Sequence, residues 1–324
     1  MKILSIKAAE KPISKLKFNK EGDLLFASSK DENVTVWHSD DGEQLGEYVG
    51  KGAVYSFDLS ANCDRIVSGT GDSVCLLYDV QTGQHIQTYQ FDSYVRSVHF
   101  SLGDHLFCAI NALAMQKPQR IHVFDLRADT KPIMLFKPKS QLSLIRWGNL
   151  NKSILGFSDD GVLEVVDVAN NQIIEDKKIH HLKIMDMSFS KDHTHFITAS
   201  EDTTAKLFDT SSFNEIAKYK TDRRIVSAAI SPTQEIVAMG GGQHQMNVTT
   251  TISTSGKFEN LIYHKIYQEE ICNYKCHFGT LNHLTFSPDG RSIASGGFDG
   301  YIKVALFDEE MDKILKSADV DPLF

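Results

Sequence analysis

A seven-residue pattern returns seven times along this chain, and no other feature limits its possible folds as tightly. The pattern reads apolar, two variable, apolar, one variable, apolar, then usually Ser, Asn or Gly. Its copies begin at Ile13, Val54, Val95, Leu142, Ile184, Ile225 and Leu281, so successive starts are 41, 41, 47, 42, 41 and 56 residues apart. Apolar fourth and sixth positions around a variable fifth have the two-residue period of a half-buried strand. A turn follows, as in Asn19-Lys-Glu-Gly22 and Ser287-Pro-Asp-Gly290, where Asn and Gly tolerate positive φ. A second apolar strand and an Asp turn come next. A third strand then ends in an aromatic and often an Asp, as in Tyr78-Asp79, Phe124-Asp125 and Phe208-Asp209, with Val166-Asp167 a weaker copy. A fourth strand closes each copy.

Four strands in about 42 residues, seven times over, predict an all-β fold: a seven-bladed β-propeller of the WD-repeat type. The last copy runs out of strand after Leu306-Phe307, and Lys2 to Lys7 stands unassigned before the first. This N-terminal strand is therefore expected to join the last blade and close the ring. One propeller over residues 1–308 and a tail over 309–324 account for the chain; Met311, Ile314 and Leu315 give the tail the spacing of a short helix. Two copies are long. The third carries extra residues around Asn111 to Arg120, and the sixth about fourteen between Gly240 and Gly256, and long loops are where such folds carry distinctive contacts.

Charge narrows the function. Thirty-four basic and forty-two acidic residues leave −8, against a broad basic face for nucleic acid or an anionic membrane. No apolar run approaches the roughly 20 residues of a membrane span, and the lysine-bearing N-terminus lacks a signal peptide's apolar stretch. Five scattered cysteines fit free thiols in a reducing compartment, so a cytosolic protein is expected.

His180 and Asp202 are 22 residues apart, as are His277 and Asp299, with Thr198 and Ser295 four before each Asp. The residue types are those of a hydrolase triad. In WD repeats, however, a His, a Ser or Thr, an Asp and a Trp form a buried hydrogen-bonded tetrad, and its occurrence twice suits a scaffold. Phe208 and Ala305 take the Trp places, so the indole donor should be missing. Asp31, Asp72, Asp160, Asp202 and Asp299 recur at the turn before the third strand and are expected to cap it. Cys272-x-x-x-Cys276-His277 and His193-x-His195 lack the partners for four-ligand closure, so no metal is expected. Gly240-Gly-Gly lacks the Lys-Ser/Thr of a phosphate loop, and neither G-x-S-x-G nor H-E-x-x-H occurs. No cofactor is implied and no active site is nominated. The basic pairs Arg223-Arg224 and Lys177-Lys178 read as solvated surface.

A more specific set of motifs lies mainly between Ala199 and Tyr301. It comprises Thr204-Ala-Lys-Leu-Phe-Asp209, Gly240-Gly-Gly-Gln243, Val248-Thr-Thr-Thr251, Gly256-Lys-Phe-Glu259, Glu269-Glu270, His277-Phe-Gly279 and Ser295-Gly-Gly297 with Asp299-Gly-Tyr301; Gly22-Asp-Leu-Leu-Phe26 stands earlier. Together they resemble the WD-repeat i subunits of eukaryotic translation initiation factor 3. The resemblance implies a non-catalytic propeller. It would bind the C-terminal helix of the b subunit and an N-terminal segment of the g subunit, and ride on the small ribosomal subunit within the complex. It also implies that Asp209 and Asp222 receive the b-subunit helix. Asp79, Asp125 and Asp167 occupy places equivalent to Asp209, which gives that residue a competing role as a turn cap. The rival reading is another WD-repeat adaptor, a ubiquitin-ligase receptor or a signalling scaffold.

Overall fold

The computed structural model describes residues 2–114, 116–242 and 258–308. Seven four-stranded sheets follow the seven repeats in order and make a seven-bladed β-propeller. Blades 1 to 6 span residues 13–49, 54–90, 95–136, 142–178, 184–220 and 225–275. Blade 7 takes three strands from 281–306 and its fourth, Lys2–Lys7, from the start of the sequence. That strand runs antiparallel to Tyr301–Leu306, with Lys2 opposite Leu306 and Lys7 opposite Tyr301. Among the described residues the helical content is one 3-10 turn, Asn149–Asn151. The long insertion (residues 243–257) and the tail with its expected short helix (309–324) lie outside the described residues.

The repeat contains an apparent flaw: its first and fourth positions differ in strand parity, yet both are apolar. The backbone resolves it. Val54 pairs with Thr70 and Ser56 with Gly69, a β-bulge that places two residues against one. The extra residue restores parity, so Val54, Phe57 and Leu59 are all buried. The same shift recurs at Val95/Ser97, Leu142/Leu144, Ile225/Ser227 and Leu281/His283.

By packing, the chain divides into two compact units, one of residues 1–25, 38–43 and 185–324, the other of 26–37 and 44–184. In the first, Tyr219, Leu207 and Ile197 of blade 5 pack on Met239, Leu261 and Ile225 of blade 6. Ala229 and Ile236 of blade 6 in turn pack on Leu281, Phe286 and Ile293 of blade 7. In the second unit, Tyr89 of blade 2 sets its ring 4.9 Å from Phe107 and 4.8 Å from Phe124 of blade 3. Val166, the weak aromatic position of blade 4, is buried with Trp147 against Val123 of blade 3.

Two glycines show how close the approach is. Gly22 turns at φ +87° and donates its N–H to Asn19 Oδ1 at 2.9 Å. On the second strand of blade 7, a Cβ added to Gly296 would lie 2.6 Å from Ile13 Cγ2 of blade 1. The third repeat's extra loop is pinned by Asn111, which accepts from Arg120 N (2.8 Å) and donates to Pro118 O (3.2 Å) and Ser93 Oγ (2.9 Å). That blade's fourth strand, Met134–Phe136, has three residues between Pro132 and Pro138. Proline lacks the N–H a ladder needs, which cuts the strand short.

Candidate partner-docking surface

Asp209 ends the third strand of blade 5, Thr204–Asp209, and opens the turn to the fourth, Glu215–Lys220. Its Oδ1 accepts from Ser211 Oγ (2.6 Å), Ser212 N (2.7 Å), Ser212 Oγ (2.8 Å) and Ser211 N (3.0 Å). Those donors, the Ser211 hydroxyl foremost, hold the carboxyl well below the usual carboxylate range. The equivalent carboxylates cap their turns likewise: Asp79 through Thr82, Asp125 through Arg127 and Asp167 through Ala169. Asp209 is thus a turn cap that also carries a charge at the blade's end.

Asp222 lies beyond the other end of the same strand, which at about 3.3 Å per residue puts roughly 20 Å between the two acids. Its side chain is 56% exposed and accepts from Arg223 Nε at 2.7 Å. Arg223 also reaches Glu259 at 3.4 Å, while Arg224 donates to Gly242 O at 2.9 Å and pairs with Glu201 at 3.5 Å. This corrects the expectation of a solvated basic pair: Arg223 is only 13% exposed. A guanidinium can be sequestered because carboxylates and a carbonyl meet its planar donors.

Between the two acids runs an edge of mixed character. Ala217 and Tyr219 turn inward, whereas Glu215, Ile216, Lys218 and Lys220 are exposed. Blade 6 adds its own turn here: Tyr219 Oη donates to Lys265 O at 2.6 Å, and Lys218 N to Gln268 Oε1 at 3.3 Å. That turn presents Ile266, 61% exposed, and Tyr267, whose ring lies 4.3 Å from His264. Sequence reasoning missed Ile216, Ile266 and Tyr267. The available signal was two large apolar residues in a turn, where repeat logic demands neither.

The His277 set is brought together within blade 7. The ring sits 3.2 Å from Asp299 Oδ1 through Nδ1 and 3.0 Å from Ser295 Oγ through Nε2. Asp299 also accepts from Tyr301 N (3.1 Å) and Phe278 N (3.2 Å), so it caps its turn as well. Burial of the ring opposes its charge, but its bonds to Asp299 and Cys276 outweigh that and carry its pKa up to about 9. A ring protonated near neutrality donates from both nitrogens, and the Ser295 hydroxyl donates in turn to Lys303 O at 3.4 Å. A protonated ring has no free lone pair with which to take up a further proton. His277 is only 1% exposed. Ala305 is buried in the Trp place, and a donor arrives instead from blade 6, where Asn260 Nδ2 reaches Cys276 Sγ (3.1 Å) and Ser295 Oγ (3.4 Å).

Of the other set, His180 is buried and its backbone N–H donates to Gly161 O at 3.0 Å. Thr198 Oγ1 donates to Lys206 O at 3.3 Å, Asp202 accepts from Thr204 N at 3.0 Å, and Phe208 stacks on Phe196 at 5.2 Å. At Asp31 and Asp160 a further turn bond runs from the Asp N–H to the hydroxyl of Ser29 and Ser158, two residues back. Among the described residues no His, Cys, Asp and Glu side chains group as metal ligands, and no helix is long and apolar enough to cross a membrane.

Comparison with known proteins follows the same line. The family model described as EIF3I matches residues 1–314. A protein of Drosophila pseudoobscura pseudoobscura named eukaryotic translation initiation factor 3 subunit I is 40% identical over 317 residues, covering 95% of this chain and 97% of its own length. Its namesake in Bombyx mori is 39% identical over 317 residues, covering 95% of this chain and 96% of that one.

Proposed function

Because the chain belongs to the family of subunit I of eukaryotic translation initiation factor 3, we propose that it is a non-catalytic docking subunit of that complex. It binds the C-terminal helix of the b subunit along the outer edge of blade 5, and an N-terminal segment of the g subunit elsewhere. Through the complex it supports initiation on the small ribosomal subunit, in the cytoplasm. The observation that carries this reading is the edge Glu215–Lys220, with Ile216, Ile266 and Tyr267 exposed between the carboxylates of Asp209 and Asp222. An amphipathic helix of about 13 residues, at 1.5 Å per residue, spans the same distance. Its apolar face would meet the isoleucines and Tyr267, and its Arg or Lys residues the acids. The buried, protonated state of His277 supports the absence of turnover.

The test is co-purification with the C-terminal segment of the cognate b subunit. Asp209→Lys combined with Asp222→Lys should abolish it and leave the β circular dichroism intact. Since Asp209 also caps a turn, Asp79→Lys in the equivalent turn of blade 2 is the control, and it should leave binding unchanged. Binding that survives both reversals rejects the assigned edge.

A further inference from the structure

Tyr55 and Tyr94 are aromatics that the repeat does not ask for. Tyr55 holds the second place of its copy and Tyr94 stands just before the first place of the next; no other copy has an aromatic at either. The two rings nevertheless meet, 5.2 Å apart and tilted by 37°. Tyr55 is 39% exposed, and neither hydroxyl makes a hydrogen bond with a described residue.

The turns around the pair hold it and set carboxylates at its border. A Cβ added to Gly71 would lie 3.5 Å from Tyr55 Cε2, so the ring rests on the turn between the second and third strands of blade 2. Gly71 N donates to Ala53 O at 2.8 Å, and Phe91 N to Ser73 O at 2.9 Å. Asp72 and Asp92 therefore flank one hydrogen bond between neighbouring turns, the second of which leads into Tyr94. Both are exposed, and neither carboxylate has a hydrogen bond or ion pair with a described residue. Asp72 thus departs from the cap expected of it, whereas Asp202 and Asp299 bind their own turns. Glu32, also exposed and unpaired, accepts through its carbonyl from Gly50 N at 3.0 Å, in the linker that leads to Tyr55. Lys51 is the one cation in residues 50–53, 71–73 and 91–94, and it pairs with none of these acids.

Three carboxylates against one ammonium, beside two aromatic faces, suit a cation. A guanidinium stacks within about 6 Å of a ring centroid and pairs edge-on with a carboxylate. Rings 5.2 Å apart leave no slot between them, because a stacked plane needs about 3.5 Å on each side. We propose that Tyr55, Tyr94, Asp72 and Asp92 form a docking site for an arginine side chain of a basic protein segment. The guanidinium lies on an outer ring face with its edge towards a carboxylate. Arginine serves ring and carboxylate at once, which the compact ammonium of lysine does not. The site shares no residue with the edge of blade 5.

The experiment titrates the full chain into a fluorescein-labelled glycine–serine peptide bearing two arginines, read by fluorescence anisotropy at low salt. Saturable binding is expected, weakened about three- to fivefold by Tyr94→Ala and kept by Tyr94→Phe, which retains the ring. Asp72→Asn with Asp92→Asn should weaken it at least as much. Asp40→Asn with Asp129→Asn changes the net charge equally at exposed acids elsewhere and should leave binding unchanged. The same peptide with citrulline in place of arginine should not bind. The asparagine pairs are surface changes, so the comparison stands even where Tyr94→Ala lowers stability. No binding by the wild type, equal binding of the citrulline peptide, or undiminished affinity in Tyr94→Ala overturns the proposal. So does an equal loss in the two asparagine pairs, which would mean a general attraction to an acidic protein.

Discussion

His277 shows how far one side chain can be understood from its spacing and where that stops. The 22-residue interval to Asp299 and the Ser four residues before it were visible in the repeat, and the structure joins all three by hydrogen bonds. Asn260 and Cys276 were not visible as members. Asn260 comes from another sheet 35 positions before Ser295, and no periodicity links them. The network predicts a pH dependence. The folded chain holds His277 at about 9, above its ordinary 6.5, so protons bind more tightly in the folded state. The stabilisation is complete below pH 6.5 and is lost as pH rises towards 9. His277→Ala should cost about 1–3 kcal/mol at pH 6, because Ser295 and Asp299 lose a buried partner. Thermal unfolding of both proteins at pH 6 and above pH 9 checks this; the gap between them should narrow at the higher pH. A constant gap would mean that the ring is neutral throughout.

Single elements were legible in proportion to how deeply they are buried. First and second strands have both faces covered, as the run of buried positions in Ile236–Gly241 illustrates, and their apolar residues announce them. Fourth strands such as Gln172–Lys178 are half exposed, and Met134–Phe136 is cut to three residues by flanking prolines, so their patterns are weak. The bulges could not be read at all, although they explain the three-residue step in the repeat. Close packing between blades makes Gly296 the sharper probe. Gly296→Val places side-chain atoms where Ile13 already sits and should cost about 1–3 kcal/mol by overpacking. Gly46→Ala meets only Val36 at 3.6 Å and should be tolerated; urea midpoints of the two variants compare them directly. The N-terminal strand is the second test. Removing residues 1–7 strips the ladder from Tyr301–Leu306 and takes away the buried Ile6, so the melting temperature should fall by about 5 °C or more. An unchanged value would show that the strand contributes nothing to the last blade.

At the scale of the whole molecule, the repeats account for the fold, and function resides in the departures from them. Asp209 is ordinary as a turn cap, since three other blades have the same device, and the docking role proposed for it rests on its place beside Ile216, Ile266 and Tyr267. Asp222 was legible as an acid outside the repeat, but its engagement by Arg223 was not, because a charge run in sequence does not reveal which guanidinium folds inward. The net charge of −8 and the burial of His277 are in keeping with the protein-recognition role proposed for this molecule. Purification of the tagged chain at native expression, with its stoichiometric companions identified, tests that most directly. The b and g subunits of initiation factor 3, with small-subunit ribosomal proteins, are the predicted companions. Ubiquitin-ligase or signalling components in their place, or no companion at all, would contradict the account.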